Sequence, residues 1–373
     1  MSELKAGKRV GSGRVYGLLA LVVLAGGLAV AGVTMFRTPT ADPPKTQPPG
    51  TSVGGIPLFA AWPQDKKPDA AIVVSGQTFG HLQPCGCSRP QQGGLERRAN
   101  FMSGLKAKGW SVAGIDLGDV YPARTPIGPS GIRTSPEQAR EKFRYSMMSL
   151  KEMGYLAVGV GKTEFDAGIL NVLGEYAMQK EQPPFTFAGN LAGLANGQPV
   201  PRDKFFPPIP PGNKPLVGHA DVFEVGTVPV GVAAVTGPTL AKEAVKSDPM
   251  IAFEANPKIL ADVVAALAKH PKKPVVNFLL YQGTVDEAKL VAEDWPEFNV
   301  ILCQADDPEP PQFPINHAGK KHPAGKHTMI VQVGHKGRYV GTVGVFNGPN
   351  GVELKYQLVP LGEEFLTPDN EQA

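Results

Sequence analysis

The stretch Ala70-Ala71-Ile72-Val73-Val74-Ser75, followed by a loop and then by Gly93-Gly94-Leu95-Glu96-Arg97-Arg98, decides the fold class of this chain. The first run is apolar and rich in β-branched residues, which predicts a buried strand. After the loop, apolar side chains recur at helical spacing and predict a helix over Gly94–Lys108. A strand, a loop and a helix in this order form an α/β unit. Loops that follow buried strands are where α/β proteins place their chemistry.

The same alternation continues along the chain and predicts an α/β core with largely parallel strands over residues 70–366. Further strands are predicted at Ser111–Asp116, Leu156–Val160, Phe185–Ala188, Val230–Val235, Val275–Leu280, Val300–Cys303 and Met329–Val333. Further helices are predicted at Pro136–Met153, Pro257–Lys269 and Thr284–Asp294. Near the C-terminus, Gly-rich turns predict an antiparallel meander of Val331–Val333, Tyr339–Phe346 and Val352–Val359, with a tail over residues 367–373.

The N-terminal segment predicts a membrane anchor. Val15–Phe36 contains no charged residue and is long enough to cross a bilayer as a helix. The basic residues of the flank over residues 1–14 predict that this flank stays in the cytoplasm and that the rest of the chain is exported to the periplasm or cell surface. The alternative is a cleaved signal peptide, because Leu28-Ala29-Val30-Ala31-Gly32 offers small residues to a peptidase. Residues 37–69 are rich in proline and predict an extended linker.

Composition excludes two other classes of protein. The formal net charge is +3, and the basic residues are scattered and not interleaved with aromatic ones. We therefore expect no nucleic-acid partner. Three cysteines in 373 residues are too few for a scaffold held together by disulfides.

Several short motifs occur in one order and resemble a known family. They are Ser75-Gly76-Gln77-Thr78-Phe79-Gly80, Gly93-Gly94-Leu95-Glu96-Arg97-Arg98, Asp116-Leu117-Gly118-Asp119, Gly161-Lys162-Thr163-Glu164-Phe165-Asp166-Ala167-Gly168, Phe187-Ala188-Gly189-Asn190-Leu191, Val230-Gly231-Val232-Ala233-Ala234-Val235-Thr236-Gly237 and Val331-Gln332-Val333-Gly334. The series resembles the metallophosphoesterase domain of 5′-nucleotidases, in the calcineurin-like superfamily. The resemblance implies a four-layer α/β/β/α sandwich of two mixed sheets. It also implies a phosphoric ester hydrolase site with two divalent metals.

Residue-by-residue transfer of the family's metal ligands leaves most of them missing. Gln77 stands at the first Asp, Phe79 at the first His, and Lys162-Thr163 at the Asn-His pair. Gln282 replaces another His, and Asp307 lies near the position of a further His motif. The bridging Asp of the family corresponds to Asp119. The resemblance therefore implies a degenerate site in which Asp119 is the retained metal ligand or catalytic residue, or serves only as a structural carboxylate.

Lys162 argues against two metals, because an ammonium beside a pair of divalent cations is repelled. It can pair with Asp119, offer its charge to a bound anion beside Gln77 and Gln282, or simply be a solvated loop lysine. Gln77, Lys162 and Gln282 are thus the candidate ligand-binding residues, and Asp119 and Lys162 are the candidate catalytic pair.

Cys85 and Cys87 form a Cys-x-Cys pair in the first of these loops. Two thiolates one residue apart can bind copper or zinc, with His81 as a further ligand, or can cycle as a strained disulfide. They can also attach to a partner or form a structural loop. The Pro84-Cys85-Gly86-Cys87 run resembles a branch of exported 5′-nucleotidase-like proteins. Cys303, at a strand end, is expected either to approach this pair or to be a small buried apolar residue.

These observations predict three alternative functions. The first is a membrane-anchored, exported pseudoenzyme that binds a ligand or partner. The second is an active phosphoesterase with a remodelled site for one divalent metal. The third is a Cys-x-Cys copper or redox protein. The expected partners are the membrane, through the N-terminal helix, and an exported redox or phosphate-containing molecule.

Overall fold

The computed structural model describes residues 52–53, 56–84, 90–123, 135–178, 184–200, 202–206, 216–349 and 351–367. The predicted membrane span at 15–36 and the Cys85–Cys87 pair lie outside these residues. Within the described ranges, no helix is both long enough and apolar enough to cross a bilayer.

The strands are β1 (Ser52–Val53), β2 (Ile56–Pro57), β3 (Ala70–Ser75), β4 (Val112–Asp116), β5 (Tyr155–Gly159), β6 (Phe185–Phe187), β7 (Leu191–Ala195), β8 (Gln198–Val200), β9 (Ala220–Val225), β10 (Val228–Thr236), β11 (Ile251–Phe253), β12 (Val276–Gln282), β13 (Val300–Cys303), β14 (Ile315–His317), β15 (Thr328–Val331), β16 (Tyr339–Gly348) and β17 (Gly351–Pro360). The helices are α1 (Leu95–Ala107), α2 (Pro136–Met153), α3 (Lys162–Ala167), α4 (Ile169–Met178), α5 (Arg202–Phe205), α6 (Pro238–Ser247), α7 (Asn256–Lys269) and α8 (Val285–Asp294). The strands and helices predicted between residues 70 and 360 are present, and apart from the meander their ends differ by at most two residues.

Two six-stranded mixed sheets form the core. Sheet 1 has the order β17-β16-β3-β4-β5-β6, and sheet 2 has the order β14-β15-β13-β12-β10-β9. Strands β3 to β6 are parallel, as are β10, β12, β13 and β15, whereas the remaining strands of the two sheets pair antiparallel. A small third sheet joins β11, β7 and β8.

Alternate residues of each central strand face different layers. In β3, Ile72 and Val74 pack in the core between the two sheets, whereas Val73 packs against α1 and α2. In β13, Leu302 lies in the same central core, whereas Ile301 packs among residues of α7 and α8. The resulting order of layers is helices, sheet, sheet, helices, which is the architecture that the family resemblance implies.

One predicted boundary and one predicted strand pairing need correction. Residues 37–69 were expected to form an extended linker, but Phe59 and Trp62 are buried and pack with Phe101, Trp110 and Phe346. The folded body therefore includes residues well before Ala70, because these two aromatic side chains bury as part of the core. The predicted three-strand meander is also wrong, because β15 belongs to sheet 2 while β16 and β17 form a hairpin on β3 of sheet 1.

Candidate functional site

The predicted site residues of the described chain gather where the parallel strands of both sheets end. Gln77 and Phe79 follow β3, Asp119 follows β4, and the loop after β5 leads into α3. From sheet 2, Gln282 ends β12, Gln304 follows β13, and Gln332 follows β15. Because parallel strands all end on one side, the topology brings together loops that are far apart in sequence.

Asp119 is buried, with 1% of its surface exposed. Its Oδ1 accepts a hydrogen bond from the backbone N–H of Thr163 at 2.9 Å, and its carboxylate also bonds the side chain of Gln304. Burial raises the pKa of Asp119 above the ordinary range of a carboxyl group. The tight packing requires glycine at position 161, since a Cβ there would lie 2.5 Å from Cγ of Asp119.

Glu164 holds the Asp119 loop in place, although its role was not predicted from the sequence. Its Oε1 accepts the backbone N–H groups of Val120 and Tyr121 at 2.8 and 2.7 Å, and its Oε2 accepts those of Asp119 and Gly161 at 3.0 and 2.8 Å. A carboxylate has about four lone-pair positions, so these donors fill it. Burial and the nearby Asp119 charge raise the pKa of Glu164 to about 8, and the backbone donors oppose this rise.

Glutamine side chains link the two sheets across the site. Gln77 pairs twice with the backbone of Ala305: its Oε1 accepts the N–H at 2.7 Å, and its Nε2 donates to the carbonyl at 3.2 Å. Gln282 donates to the carbonyl of Leu117 at 2.6 Å and accepts from Gln304 at 3.1 Å. Gln332 donates to the carbonyl of Gln304 at 2.7 Å. We call Gln77, Gln282, Gln304 and Gln332 the glutamine network.

Left-handed backbone is concentrated in the loops that form the site. Gln77, Phe79, Asp119 and Lys336 have φ values of 49°, 50°, 56° and 60°, in a region that residues other than glycine rarely adopt. Hydrogen bonds hold the strained turns together: the N–H of Gln77 donates to Gly118, that of Phe79 to Asp119, and that of Lys336 to Gln77, each at 2.8 Å. Strain of this kind persists where the surroundings determine the backbone strongly, and it is common at functional sites.

A second buried cluster, formed by Ser75, Arg98, Asp116 and Tyr155, lies next to the site. Asp116 ends β4, where Ser75 donates to its Oδ2 at 2.5 Å, and Arg98 lies 3.7 Å from the same oxygen. Arg98 also donates to Ser75 at 3.2 Å, and Tyr155 lies 3.0 Å from the Ser75 hydroxyl. Burial raises the pKa of Asp116, although the Arg98 charge and these bonds act in the opposite direction. Arg98, the second arginine of the Gly-Gly-Leu-Glu-Arg-Arg motif, is thus the buried counter-ion of Asp116.

Lys162 does not pair with Asp119. Its ammonium lies 3.3 Å from Asp166 and 3.4 Å from Glu243. Partial burial lowers the pKa of Lys162, but these two acids outweigh that effect and raise it. Because Lys162 is half-exposed and its charge is directed toward these acids, the alternative in which it neutralises Asp119 is wrong.

The remaining predicted residues have different environments. His81 is half-buried, and its Nδ1 lies 3.0 Å from the carbonyl of Thr78. Burial lowers its pKa. Cys303 is fully buried among Ala288, Val291 and other residues on the helix-covered face of sheet 2, and burial raises its pKa to about 12. It has the packing of a small apolar side chain. Asp307 is exposed.

The donor set does not fit a pair of divalent metals. The carbonyl oxygens of Gln77 and Gln282 already accept hydrogen bonds from the protein, and all lone pairs of Glu164 are occupied by backbone donors. Phe79 offers no ligand atom. Across the described ranges, no group of three His, Cys, Asp or Glu side chains is placed to hold a metal ion.

Comparison with solved structures identifies the fold. The chain is similar to a 5′-nucleotidase precursor from Thermus thermophilus, with 19% identity, a TM-score of 0.57 and coverage of 79% of this chain and 55% of the other. It is also similar to the sulfate thiohydrolase SoxB of Thermus thermophilus, with 14% identity, a TM-score of 0.57, and coverage of 82% and 59%. A calcineurin-like phosphoesterase, YfkN from Bacillus subtilis, matches at 12% identity with a TM-score of 0.52, over 78% of this chain and 90% of the other.

This chain has the metallophosphoesterase fold. The identities are low, so the likeness concerns the fold alone, and the chain spans little more than half the length of the first two structures. No protein-family model matches the chain, and no curated protein matches it by sequence.

Proposed function

We propose that this chain is a membrane-anchored, exported protein with a metallophosphoesterase-like fold that binds a ligand or partner and does not hydrolyse phosphate esters by the two-metal route. The glutamine network carries the proposal. At the positions where the family resemblance implies metal ligands, Gln77 and Gln282 bond other parts of the protein. A metal at either position would have to break bonds that join the two sheets.

The neutral amides of the network also disfavour cations at the site. The charge of two divalent ions would have to be balanced largely by Asp119 and by Glu164, whose oxygens already bind four backbone N–H groups. Anionic ligands compensate cationic metals far better than amides do. Anchoring and export are supported by the uncharged stretch Val15–Phe36 and the basic residues before it.

The test uses the full-length protein in detergent with added Mn²⁺. We expect no hydrolysis of a generic phosphomonoester or phosphodiester above the rate of an Asp119→Ala variant. Hydrolysis that needs Mn²⁺ and that Asp119→Ala abolishes would establish the second alternative, an active phosphoesterase with a remodelled metal site. Circular dichroism of Asp119→Ala checks that the variant is folded.

One observation favours a second candidate function, a copper or redox role for Cys85 and Cys87. Because the Thr78 carbonyl can only accept, Nδ1 of His81 carries the hydrogen, and the lone pair of the neutral ring lies on Nε2. A histidine that donates Nδ1–H to a carbonyl and offers Nε2 is the usual form of a metal ligand. His81 lies four residues before Cys85 in the sequence.

Metal analysis of the purified full-length protein distinguishes this candidate. If it holds, the protein carries copper or zinc in about equal amount to protein, and Cys85→Ser/Cys87→Ser removes the metal. Cys303→Ser is the matched control, because this thiol is buried among apolar side chains and should not affect metal content. Equal metal content in the wild type and the double variant would rule the candidate out.

A further inference from the structure

The end of the sandwich opposite the candidate site carries a concentration of lysines. At this end the parallel strands begin, and the loops that lead into them lie side by side. For example, a Cβ on Gly226, before β10, would touch Ser111 and Asp69, which precede β4 and β3. We call the following set the lysine pole: Lys66, Lys67, Lys106, Lys108, Lys272, Lys273, Lys326 and Lys355. The first seven are exposed and Lys355 is half-buried.

Acidic side chains compensate only part of this charge. The acids at this end include Asp65, Asp69, Glu152, Glu224, Glu297 and Glu353, and Glu293 and Asp294 at the end of α8 pair with His317 and Lys321. Among the described residues, the ion pairs of the lysine pole are Lys272 with Glu224 at 3.4 Å and Lys355 with Glu353 at 2.7 Å. By contrast, Lys67 and Lys106 donate to the backbone carbonyls of Gly109 and Met153. A carbonyl bond holds an ammonium without neutralising its charge.

Two lysines of the pole lie over aromatic rings. The Lys108 ammonium lies 5.9 Å from the ring centres of both Phe59 and Trp110, and the Lys66 ammonium lies 5.5 Å from that of Phe346. Beside them is a groove of about 1020 Å³ whose lining includes Lys66, Lys326, Lys355, Phe346 and Tyr356. Lysines over aromatic rings with an open groove between them form a surface that is both positive and amphipathic, as at membrane interfaces.

The folded body also begins at this end. Phe59 and Trp62, which follow β2, pack against Trp110 and Phe346, and both of these lie where sheet 1's parallel strands begin. The stretch from Arg37 to Thr51 separates the predicted membrane span from β1 and can reach at most about 50 Å when fully extended. A body joined to the bilayer by so short a connection stays close to the lipid surface, where weak contacts become effective.

We propose that the lysine pole lies against an anionic phospholipid surface, that of the membrane holding the predicted anchor. This proposal rests on the anchoring that we propose above. Lysines near a surface of acidic lipid headgroups are attracted to it, and the attraction is screened by salt. In this orientation the candidate site, at the other end of the strands, faces away from the membrane and toward partners in the surrounding compartment.

The experiment measures lysine accessibility in the full-length protein reconstituted in two kinds of nanodisc. One contains only phosphatidylcholine, and the other contains about one quarter phosphatidylglycerol. A water-soluble amine reagent followed by mass spectrometry reads out each lysine. We expect labelling of Lys66, Lys272 and Lys326 to fall about five-fold in the anionic discs, and the protection to disappear in about 0.5 M NaCl. Lys258, exposed at the start of α7, should be labelled equally in both.

Two triple variants that remove the same number of positive charges distinguish an effect of the lysine pole from an effect of net charge. Lys66→Gln/Lys272→Gln/Lys326→Gln should abolish the protection of Lys67 and Lys273, whereas Lys142→Gln/Lys246→Gln/Lys258→Gln should leave it intact. Equal labelling in the two lipids, or equal effects of the two triple variants, would overturn the proposal. Flotation with phosphatidylcholine vesicles tests the anchor separately. If the protein does not float with phosphatidylcholine vesicles but binds anionic vesicles through these lysines, the proposed anchor is wrong and the membrane-binding role of the lysine pole still holds.

Discussion

The strand ends of sheet 1 carry buried carboxylates, whereas those of sheet 2, which face them, carry neutral amides. Asp116, Asp119 and the nearby Glu164 lie on one side, and Gln282, Gln304 and Gln332 lie on the other. Gln304 donates to both Gln282 and Asp119, so it links the two sides directly. Asp116 and Glu164 are instead compensated by groups of their own side, by Ser75 and Arg98 and by backbone N–H groups respectively.

The two sides also differ in what secures their loops. On the sheet 1 side, Glu164 binds backbone N–H groups of two separate loops. On the sheet 2 side, side-chain amides bond to one another and to carbonyls, as with Gln332 and Gln304. Loss of the Glu164 carboxyl group should therefore cost more than loss of one amide, because four backbone N–H groups bond to it.

The largest effect is expected from Glu164→Gln. The new amide nitrogen would face two backbone N–H donors where the carboxylate offers an acceptor, so we expect the free energy of unfolding to fall by about 3 kcal/mol. Urea denaturation measures it. Glu141→Gln, an exposed acid on α2, is the control and should change stability by less than about 0.5 kcal/mol. Similar losses in the two variants would mean that Glu164 does not hold the loops.

A smaller loss is expected from Gln304→Met. This change keeps the length of the side chain but removes its bonds to Gln282 and Asp119, leaving two buried polar groups without their partner. We expect a loss of about 2 kcal/mol in the same assay. Gln357→Met is the matched control, since the amide of Gln357 bonds the adjacent carbonyl of Leu358 and makes no bond between the sheets within the described ranges. If both variants lose the same stability, the connection between the sheets is not what Gln304 contributes.

Stability should also depend on pH through Asp119. Burial raises the pKa of Asp119 above its value in the unfolded chain. The folded state then binds more protons than the unfolded state above the ordinary carboxyl range. The contribution of Asp119 to stability is therefore full below about pH 4 and is lost as pH rises through the raised pKa of the folded state.

An Asp119→Asn variant isolates this effect. Relative to Asp119→Asn, the wild type should lose stability as pH is raised from about 4 to about 8, by at most about 1.4 kcal/mol per pH unit. Denaturation of both proteins across this range gives the difference directly. A difference that stays constant with pH, or that changes in favour of the wild type, would show that the buried carboxylates are ionised throughout.

The smallest effect is expected from Lys162→Gln. Its partners Asp166 and Glu243 are partly exposed, so the change should cost no more than about 0.5 kcal/mol. Lys289→Gln, which removes an exposed pair with Asp286, should cost a similar amount. A much larger loss for Lys162→Gln would place this lysine with the buried carboxylates of sheet 1 after all.

Individual helices and strands could be predicted because the residues that determine them lie close together in the sequence. The helix Pro136–Met153 was predicted with both ends correct, since Ser135 precedes it as a cap and Gly154 follows it in the left-handed conformation. The short helix Lys162–Ala167 was not predicted, because six residues give too little periodicity. Phe59 and Trp62 were assigned to a linker because the many prolines before them dominate the composition.

The motifs predicted that Gln77, Asp119 and Gln282 lie at or after the ends of strands, and the structure brings these three positions together. How their side chains bond was not predicted. The partner of Gln77 is the backbone of Ala305, 228 residues away, which no local pattern reveals. Glu164 was quoted in the best-matching motif, but only the structure shows its four backbone donors.

The sequence by itself determined the alternation of strands and helices, the order of the loops and the residue types at their ends, because these depend on neighbours within a few turns of chain. Only the tertiary structure decided that β16 and β17 join sheet 1 and that Lys162 turns toward Asp166. It also decided that Gln304 of sheet 2 bonds Asp119 and that lysines scattered along the chain gather at one end. Such choices depend on which distant surfaces pack together, and packing is settled by the free energy of the whole core.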